Sequence, residues 1–262
     1  MGENKKVCLS IAGVDPSGGA GVIADVRTFA RFGCFPAAAV TSLTFQNTTG
    51  VFGAVHQSAE TVARQIDAVA DDLSVDAVKT GMLPTREVIA AVAERISEWA
   101  LSPAVIDPVV RSTSGFDLID DEALAALTEM LFPLASVVTP NVPEAERITG
   151  VEIRGPVDAA EAAKRMLDLG AAAVLIKGGH AVGDGEMMID RLFTASEVTE
   201  FAAPRIETTS THGTGCALAA AIAARLAYGD TLTDAIAAAK AFVHEAIRTA
   251  PKLGRGSGPI NI

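Results

Sequence analysis

The segment Thr211-His212-Gly213-Thr214-Gly215-Cys216 places two glycines and a cysteine directly before a long alanine-rich helical pattern. Glycines here let the backbone turn its N–H groups toward one point, and a helix N-terminus adds unpaired donors and a positive dipole end. Such a site stabilises phosphate charge, including charge that develops during phosphoryl transfer. The same field is expected to lower the pKa of Cys216, so that its thiolate could accept a proton from a substrate hydroxyl. The alternative is a glycine-rich turn into a core helix that carries a small buried cysteine.

Polar residues also follow three of the short apolar runs. Asn141 and Glu144 come after one run and offer the hard oxygen ligands that Mg²⁺ prefers, directly or through its waters. Asp107 follows a second run and could hold a water on Mg²⁺, and Lys177 follows a third and could bind nucleotide phosphates. The alternatives are a helix cap for the first pair and solvated loop charges for the second. The sequence contains no Walker loop, and no G-x-G-x-x-G opens the first βα unit, which excludes the usual P-loop and dinucleotide sites.

A third set of residues has the chemistry of a small-molecule pocket. Gln46 can donate and accept hydrogen bonds in the plane of a heteroaromatic ring, and Asp25 can accept one from an exocyclic amine. Apolar walls could come from Phe45, Met82 and Val109. The remaining candidates are the Asp15-Pro16-Ser17-Gly18-Gly19 loop, Asn47 and the segment Lys79-Thr80-Gly81-Met82. The structural alternatives are a turn amide, an exposed helical carboxylate and core side chains.

The elements that must position these residues alternate between short apolar runs and amphipathic segments. The pattern predicts strands at residues 7–12, 37–45, 51–56, 77–79, 104–106, 136–139 and 173–176. It predicts helices at residues 20–32, 59–72, 85–99, 121–131, 157–169, 213–228 and 232–250, and one more after Asn141. Repeated β–α units imply a parallel sheet, with 37–45 and 51–56 as a hairpin or small accessory flap. Because ligands bind outside the carboxyl ends of parallel strands, the polar residues are expected at one edge of the sheet.

No internal repeat, low-complexity linker or abrupt change of composition divides the 262 residues. One domain over residues 1–262 is therefore the expected organisation, with surface loops at 150–156 and 183–185. Hydrophobic residues make up 49% and aromatic residues 5% of the chain, which is typical of helices packed closely on a sheet. These features predict an α/β protein.

The formal net charge of −11 would repel a nucleic-acid backbone or an anionic membrane, and no run of Lys or Arg overrides it. Partners of either kind are therefore not expected. The longest nearly uncharged stretch, residues 213–224, is shorter than the roughly 18 apolar residues of a membrane-spanning helix. Cys8, Cys34 and Cys216 are an odd number at wide spacings, which fits neither a disulfide framework nor a zinc site. A cytoplasmic location is expected on this basis.

Seven motifs lie in order along the chain: Ala12-Gly13-x-Asp15-Pro16-Ser17-Gly18-Gly19-Ala20-Gly21, Gln46-Asn47-Thr48, Lys79-Thr80-Gly81-Met82, Asp107-Pro108, Thr139-Pro140-Asn141-x-x-Glu144, Lys177-Gly178-Gly179-His180 and Thr211-His212-Gly213-Thr214-Gly215-Cys216. Together they resemble the hydroxymethylpyrimidine/phosphomethylpyrimidine kinase family. The closing Gly254-x-Gly256-x-Gly258-Pro259 is similar to the C-terminal signature of that family. The matches span essentially the whole chain, which makes coincidence a poor explanation.

The resemblance implies a ribokinase-like fold, which is a three-layer αβα sandwich with a mostly parallel central sheet. It implies an ATP- and Mg²⁺-dependent kinase that phosphorylates 4-amino-5-hydroxymethyl-2-methylpyrimidine on its hydroxymethyl oxygen. The same site would then phosphorylate the monophosphate to the diphosphate in thiamin synthesis. A homodimer is also expected, because members of the superfamily often dimerise.

The resemblance further implies roles by matching position. Gly213 and Gly215 would form the anion hole, Cys216 would be the general base, and Lys177 would assist the transfer. Residues at the nucleotide and its Mg²⁺ would be Asp107, Asn141, Glu144, Lys177 and Thr214, of which Asp107 and Glu144 would serve the metal. Residues of the pyrimidine pocket would be Gly13, Asp25, Gln46, Met82 and Val109.

One departure from the family pattern is Thr44-Phe45 ahead of Gln46, where smaller or aliphatic residues are expected, so Phe45 could reshape the pocket. Related kinases phosphorylate pyridoxine, pyridoxal or pyridoxamine on a very similar scaffold, and such an activity is the alternative function. Gln46-Asn47 favours the pyrimidine. A noncatalytic metabolite-binding protein of the same fold is a second alternative, against which the retained Cys216, Asn141 and Glu144 argue.

Overall fold

The computed structural model describes residues 5–110, 118–178 and 186–262. Gly179 and His180 of the Lys177 motif, and the surface loop predicted at 183–185, lie outside the described residues.

Nine β-strands of the described residues form one sheet. They are β1 (Val7–Val14), β2 (Phe35–Asn47), β3 (Gly50–His56), β4 (Val75–Thr80), β5 (Ala104–Ile106), β6 (Val137–Val138), β7 (Val174–Ile176), β8 (Met187–Phe193) and β9 (Val198–Pro204). Their order across the sheet is β3-β2-β1-β4-β5-β6-β7-β8-β9. Pairing is parallel from β2 through to β7 and antiparallel at both borders. The expected mostly parallel sheet is confirmed.

Among the residues that the structure describes, six α-helices lie between these strands in the chain, and two more follow β9. They are α1 (Gly21–Arg31), α2 (Ala59–Asp72), α3 (Arg86–Glu98), α4 (Asp121–Ala126), α5 (Val142–Thr149), α6 (Pro156–Asp168), α7 (Thr214–Ala227) and α8 (Leu232–Arg248). After α4 the chain continues through a π-helical turn (Leu127–Leu131) and a 3₁₀ turn (Phe132–Leu134). Several helices start where a side-chain oxygen accepts a hydrogen bond from an otherwise unpaired N–H of the first turn. The capping residues are Ser58, Thr85, Asp120, Asn141 and Thr231.

The helices cover both faces of the sheet and so produce three layers. Helices α2 to α6 bury apolar side chains against one face, and α1, α7 and α8 bury theirs against the other. Every residue of α7 from 217 to 224 is buried, and most of them are alanines. Because alanine is small, this helix packs very close to the sheet. The three-layer α/β architecture expected from the sequence is confirmed.

Two hairpins border the sheet. The β2–β3 hairpin is present as predicted, but Gln46 and Asn47 belong to β2, and only Thr48 and Thr49 connect the strands. The β8–β9 hairpin at the other border is missing from the sequence-based prediction, because charged residues such as Asp190 interrupt its apolar pattern. In the described part of the chain, no helix combines the length and apolar character needed to cross a bilayer.

The strand order creates a switch point beside β1. The chain first runs from β1 to β2 on one side and later returns to β4 on the other side. In open α/β sheets, the crevice outside the carboxyl strand ends at such a point is the usual ligand site. The carboxyl ends of β1, β4, β5 and β7 carry Gly13, Gly81, Asp107 and Lys177, respectively.

Candidate active site

A cavity of about 1100 Å³ opens at this carboxyl edge of the sheet. It is bordered at one end by β1, β2, β4 and the N-terminus of α7, and at the other by β8, β9 and α8. The predicted site residues that line it are Gly13, Gln46, Met82, Asp107, Val109, Asn141, Glu144, Lys177, Gly213, Thr214, Gly215 and Cys216. The fold therefore brings together residues that are spread over most of the sequence.

Gly213 and Gly215, at the start of α7, lie so close to neighbouring atoms that a side chain would not fit freely. Gly213 caps the helix with a left-handed backbone (φ 85°), and a Cβ there would overlap the carbonyl oxygen of Gly19. A Cβ on Gly215 would lie 3.2 Å from Nζ of Lys177. Thr214 is the first residue of α7, and its Oγ1 donates to the carbonyl of Thr211 at 3.1 Å. The loop therefore presents a helix N-terminus to the cavity, directly beside a lysine ammonium group.

Asp15 organises the neighbouring loop and does not offer its carboxylate to the cavity. The Asp15 side chain accepts hydrogen bonds from N–H groups of Ser17 and Ala20 and lies 2.7 Å from Nε2 of His212. The residue is buried. The proposal of a substrate contact from Asp15 is therefore corrected: this carboxylate ties the loop after β1 to the residue before Gly213.

Lys177 lies between two carboxylates. Its Nζ donates to Oδ1 of Asp107 at 3.0 Å and lies 3.9 Å from Oε2 of Glu144, while Thr139 also donates to Asp107 at 2.9 Å. Although burial opposes it, the attraction to both lysines nearby, Lys177 and Lys79, lowers the pKa of Asp107. The pKa of Lys177 is raised, because Asp107 and Glu144 outweigh the effect of burial. The alternative of solvated loop charges is excluded for this pair.

Glu144 is a buried acid at the start of α5. Burial raises its pKa to about 7, with Lys177 opposing and Asp107 adding to the shift. Asn141 and Glu144 form a reciprocal cap, since each side chain accepts a hydrogen bond at 2.8 Å from the backbone N–H of the other. The helix-cap interpretation is confirmed, and both residues also line the cavity.

Cys216 lies in the first turn of α7, and its thiol is predominantly protonated. Burial raises the pKa of the thiol to about 11; Lys79 opposes this shift, while Asp25 and Asp107 add to it. The expectation of a lowered pKa is wrong. The desolvation of the thiolate destabilises it by more than the helix N-terminus and the nearby ammonium groups stabilise it.

Asp25 supports the cavity from beneath. It has no exposed surface and is not among the lining residues. Its two carboxylate oxygens accept hydrogen bonds from Nζ of Lys79 at 2.9 and 2.8 Å, and Ser10 donates to one of them at 2.6 Å. The expected contact of Asp25 with a substrate amine is corrected, because the carboxylate has no exposed surface and does not line the cavity. Lys79, which lines the cavity, is a residue that the sequence analysis gave no role of its own.

The acceptor end of the cavity is formed by alternate residues of β2. Thr44 and Gln46 face the cavity, whereas Phe45 points to the opposite face and is 55% exposed. The proposal of Phe45 as a wall of the pocket is therefore wrong. Gly13 allows Met82 to approach closely, since a Cβ there would lie 3.2 Å from its sulfur.

Asp190 and Lys240 form an ion pair at the other end of the cavity, which the sequence analysis missed. Nζ of Lys240 lies 2.7 Å from Asp190, and the second oxygen of Asp190 accepts a hydrogen bond from the N–H of Gly178 at 2.9 Å. Asp190 thereby fixes the peptide that follows Lys177. In the sequence, the sign of this pair was a charged residue, Asp190, within the apolar run of β8. Its role can be recognised only once the β8–β9 hairpin is known.

This arrangement suits phosphoryl transfer to a small molecule. A helix N-terminus and a lysine would hold the phosphate groups, buried carboxylates lie beside them, and a thiol lies near the polar and apolar residues of the acceptor end. The profile of the phosphomethylpyrimidine kinase family matches residues 15–261. The chain belongs to the phosphomethylpyrimidine kinase family.

Relatives of this family cover nearly all of the chain. The thiamine biosynthesis bifunctional protein ThiED of Geobacter sulfurreducens is 48% identical over 254 residues, which are 97% of this chain and 51% of that protein. This chain thus spans about half of the bifunctional relative. The hydroxymethylpyrimidine/phosphomethylpyrimidine kinase of Bacillus subtilis is 44% identical over 97% of this chain and 93% of its own length.

Solved structures extend the similarity to another vitamin kinase. The pyridoxal kinase of Bacillus subtilis, solved as an ADP complex, superposes with a TM-score of 0.89 at 36% identity, covering 98% of this chain and 97% of that one. The expected ribokinase-like fold is confirmed. As a member of the phosphomethylpyrimidine kinase family, the protein is an ATP-dependent kinase.

Proposed function

We propose that this protein phosphorylates 4-amino-5-hydroxymethyl-2-methylpyrimidine and then its monophosphate, with ATP as the donor, in thiamin biosynthesis. The observation that carries the proposal is the placement of Gln46 and Met82 in the same cavity as the Gly213–Cys216 loop and Lys177. A planar heteroaromatic ring fits between an amide that can donate and accept and an apolar thioether wall. The hydroxymethyl group would then face the phosphate-binding loop.

In the proposed reaction, the hydroxymethyl oxygen bonds to the γ-phosphorus while the bond to the leaving ADP oxygen breaks. The hydroxyl proton passes to the thiolate of Cys216. N–H groups of the Gly213–Gly215 loop stabilise the charge on the transferring group, and Lys177, Asn141 and Thr214 contact the phosphates. A pKa of about 11 leaves little thiolate at neutral pH, but this transfer depends mainly on positioning and charge stabilisation.

Asp107 and Glu144 fit the proposed Mg²⁺. They are two buried carboxylates close to one lysine, an arrangement in which a divalent cation would balance the excess negative charge. Carboxylate oxygens are also the ligands that this ion prefers. When bound, Mg²⁺ would neutralise charge on the triphosphate.

An ADP-release assay with Mg²⁺ tests this function, comparing hydroxymethylpyrimidine, its monophosphate and pyridoxal as acceptors. We expect turnover of both pyrimidines and a kcat lower by about 100-fold or more in Cys216→Ala, because general bases contribute at least that much. The matched control is Cys34→Ala, which removes a buried thiol outside the cavity. Undiminished activity of Cys216→Ala would remove this residue from the mechanism.

Pyridoxal kinase activity is the second candidate, because the structurally similar Bacillus subtilis protein carries that name. Its ring would occupy the same acceptor end and meet the same Gln46. Turnover of pyridoxal without turnover of either pyrimidine would favour this candidate over the first. Absence of ADP release with all three acceptors would contradict both candidates.

We also propose a homodimer. In the described sheet β3 is an edge strand, and its hairpin exposes the apolar side chains Leu43, Phe45, Phe52 and Val55. Exposed apolar surface beside an unpaired strand edge commonly marks a protein interface. Light scattering after gel filtration is expected to give twice the chain mass of 26.9 kDa for the wild type. The Phe52→Lys variant is expected to give the mass of a single chain. A monomeric wild type would contradict the proposal.

We propose, finally, that residues 1–262 act as one kinase domain in the cytoplasm. The single sheet supports the first point, and the presence of three free cysteines supports the second.

A further inference from the structure

The C-terminal strap, residues 253–259, connects two segments next to the cavity. At one end, the N–H of Arg255 donates to Oγ1 of Thr48 at 3.2 Å, in the turn between β2 and β3. At the other end, the N–H of Gly258 donates to the carbonyl of Thr209 at 3.2 Å, and its own carbonyl accepts from the N–H of His212 at 3.1 Å. The strap thus joins the turn that follows β2 to the loop that carries Gly213.

The contact between the strap and the turn is too close for side chains on the strap. A Cβ on Gly254 would overlap the side chain of Thr48, and a Cβ on Gly256 would overlap its carbonyl oxygen. Gly254 also has a left-handed backbone (φ 83°), but Gly256 has no such backbone requirement. Gly256 is therefore required by its close approach to the backbone of Thr48 and Thr49, and not by its own backbone angles.

The segment after the strap is fixed to two helices. The N–H of Asn261 donates to the carbonyl of Ala246 in α8 at 3.0 Å, and Arg27 of α1 donates to the carbonyl of Ile262 at 2.8 Å. Ile260, the residue before Asn261, is buried. The strap is therefore followed by a segment that hydrogen bonds fix to α1 and α8.

The strap contacts residues adjacent to both halves of the site. Thr48 follows Gln46 by two residues, and Gln46 faces the acceptor end of the cavity. Pro259 pairs with His212, the residue before Gly213, and a Cβ on Gly19 would lie close to both of them. A displacement of either contact would change the distance between the ring-binding amide and the phosphate-binding loop.

We propose that the strap positions Gln46 relative to Gly213, with Thr48 and Gly256 as positioning residues for the transfer. This inference rests on the proposed pyrimidine kinase function. Misplacement of reacting groups by about 1 Å can lower the rate by up to 100-fold. A segment that sets the distance between the acceptor end and the anion hole therefore affects kcat. No strap residue lines the cavity, and Thr48 and Gly256 meet at the β2–β3 turn, away from the phosphate-binding loop, so substitutions at these two positions are expected to change ATP binding little.

The test compares steady-state kinetics of wild type, Gly256→Ala, Thr48→Ala and Thr48→Ser. The matched control is Gly155→Ala, because a Cβ on Gly155 meets no atom within 4 Å. We expect Gly256→Ala and Thr48→Ala to raise KM for hydroxymethylpyrimidine about fivefold or more and to lower kcat, as for loss of a positioning hydrogen bond. KM for ATP should change by less than about twofold, and Thr48→Ser, which keeps the hydroxyl acceptor, should behave as wild type.

Wild-type KM for the pyrimidine in both Gly256→Ala and Thr48→Ala would overturn the inference. A parallel rise of KM for ATP would also overturn it, because that result indicates general structural damage. Thr48→Ala alone decides the question if Gly256→Ala does not fold. If the wild type accepts only pyridoxal, the proposed function fails, and the same variants test the strap with pyridoxal as the acceptor.

Discussion

Lys79 is an ammonium group without exposed surface, held against both carboxylate oxygens of Asp25. The pKa of Lys79 is raised, since attraction to Asp25 outweighs the effect of burial, whereas burial raises the pKa of Asp25. Lys79 lines the cavity and Asp25 lies behind it, so the pair presents its positive end to the site. The pair therefore acts on Cys216 as a local positive potential.

Breaking this pair leaves a buried charge without a partner, which costs roughly 3–5 kcal/mol. We expect Lys79→Met and Asp25→Asn each to lower the free energy of unfolding by about that amount, and the double variant to lose less than the sum. Urea unfolding followed by circular dichroism gives the free energy of unfolding of the wild type, the two single variants and the double variant. The matched control is Lys164→Met, which breaks an exposed pair with Asp168 and should change stability by less than about 1 kcal/mol. Additive losses at Lys79 and Asp25 would contradict this account.

At the scale of elements, the alternation of β2 decides which side chains reach the substrate. Gln46 faces the cavity and Phe45 faces away from it. We expect Gln46→Leu to raise KM for hydroxymethylpyrimidine about tenfold, because a ring hydrogen bond is lost. Its neighbour supplies the control: Phe45→Leu should change that KM by less than about twofold. Steady-state kinetics measures both, and equal effects of the two variants would show that β2 has a different register.

At the scale of the whole molecule, the dependence of stability on pH is set by buried acids whose pKa values shift in opposite directions on folding. The pKa of Glu144 is about 7 in the folded protein, above its ordinary value of 4.5, so the folded state gains a proton first as the pH falls. The pKa values of Asp15 and Asp107 are lowered from 3.8, because hydrogen bonds and ion pairs outweigh burial. Stability should therefore rise on mild acidification and fall in stronger acid.

We expect the free energy of unfolding to increase by about 1 kcal/mol between pH 8 and pH 6 as Glu144 takes up its proton. Below about pH 4 it should decrease, because Asp15 and Asp107 are then protonated only in the unfolded chain. Urea titrations at several pH values provide the measurement. Glu144→Gln keeps an oxygen for the helix cap and should abolish the first effect, so an unchanged slope in this variant would refute the assignment.

The order of elements was predictable because it depends on local patterns. Apolar runs and amphipathic segments marked the strands from β1 to β7 and helices such as α7, and the glycine-rich loop was placed at the start of that helix. The β8–β9 hairpin escaped prediction because strands at a sheet border are half exposed and need not be apolar. Residue types next to strand ends also identified cavity residues such as Asp107, Glu144 and Lys177, but none of those that β8, β9 and α8 contribute.

By itself, the sequence determined the α/β class, the parallel arrangement and the kind of chemistry that the strand ends could carry. Only the tertiary structure decided the state and direction of particular groups: the raised pKa of Cys216, the outward direction of Phe45 and the burial of Asp25 beneath Lys79. The physical reason is that periodicity and turn chemistry act over a few neighbouring residues. Desolvation and ion pairing depend on atoms that come from distant parts of the chain.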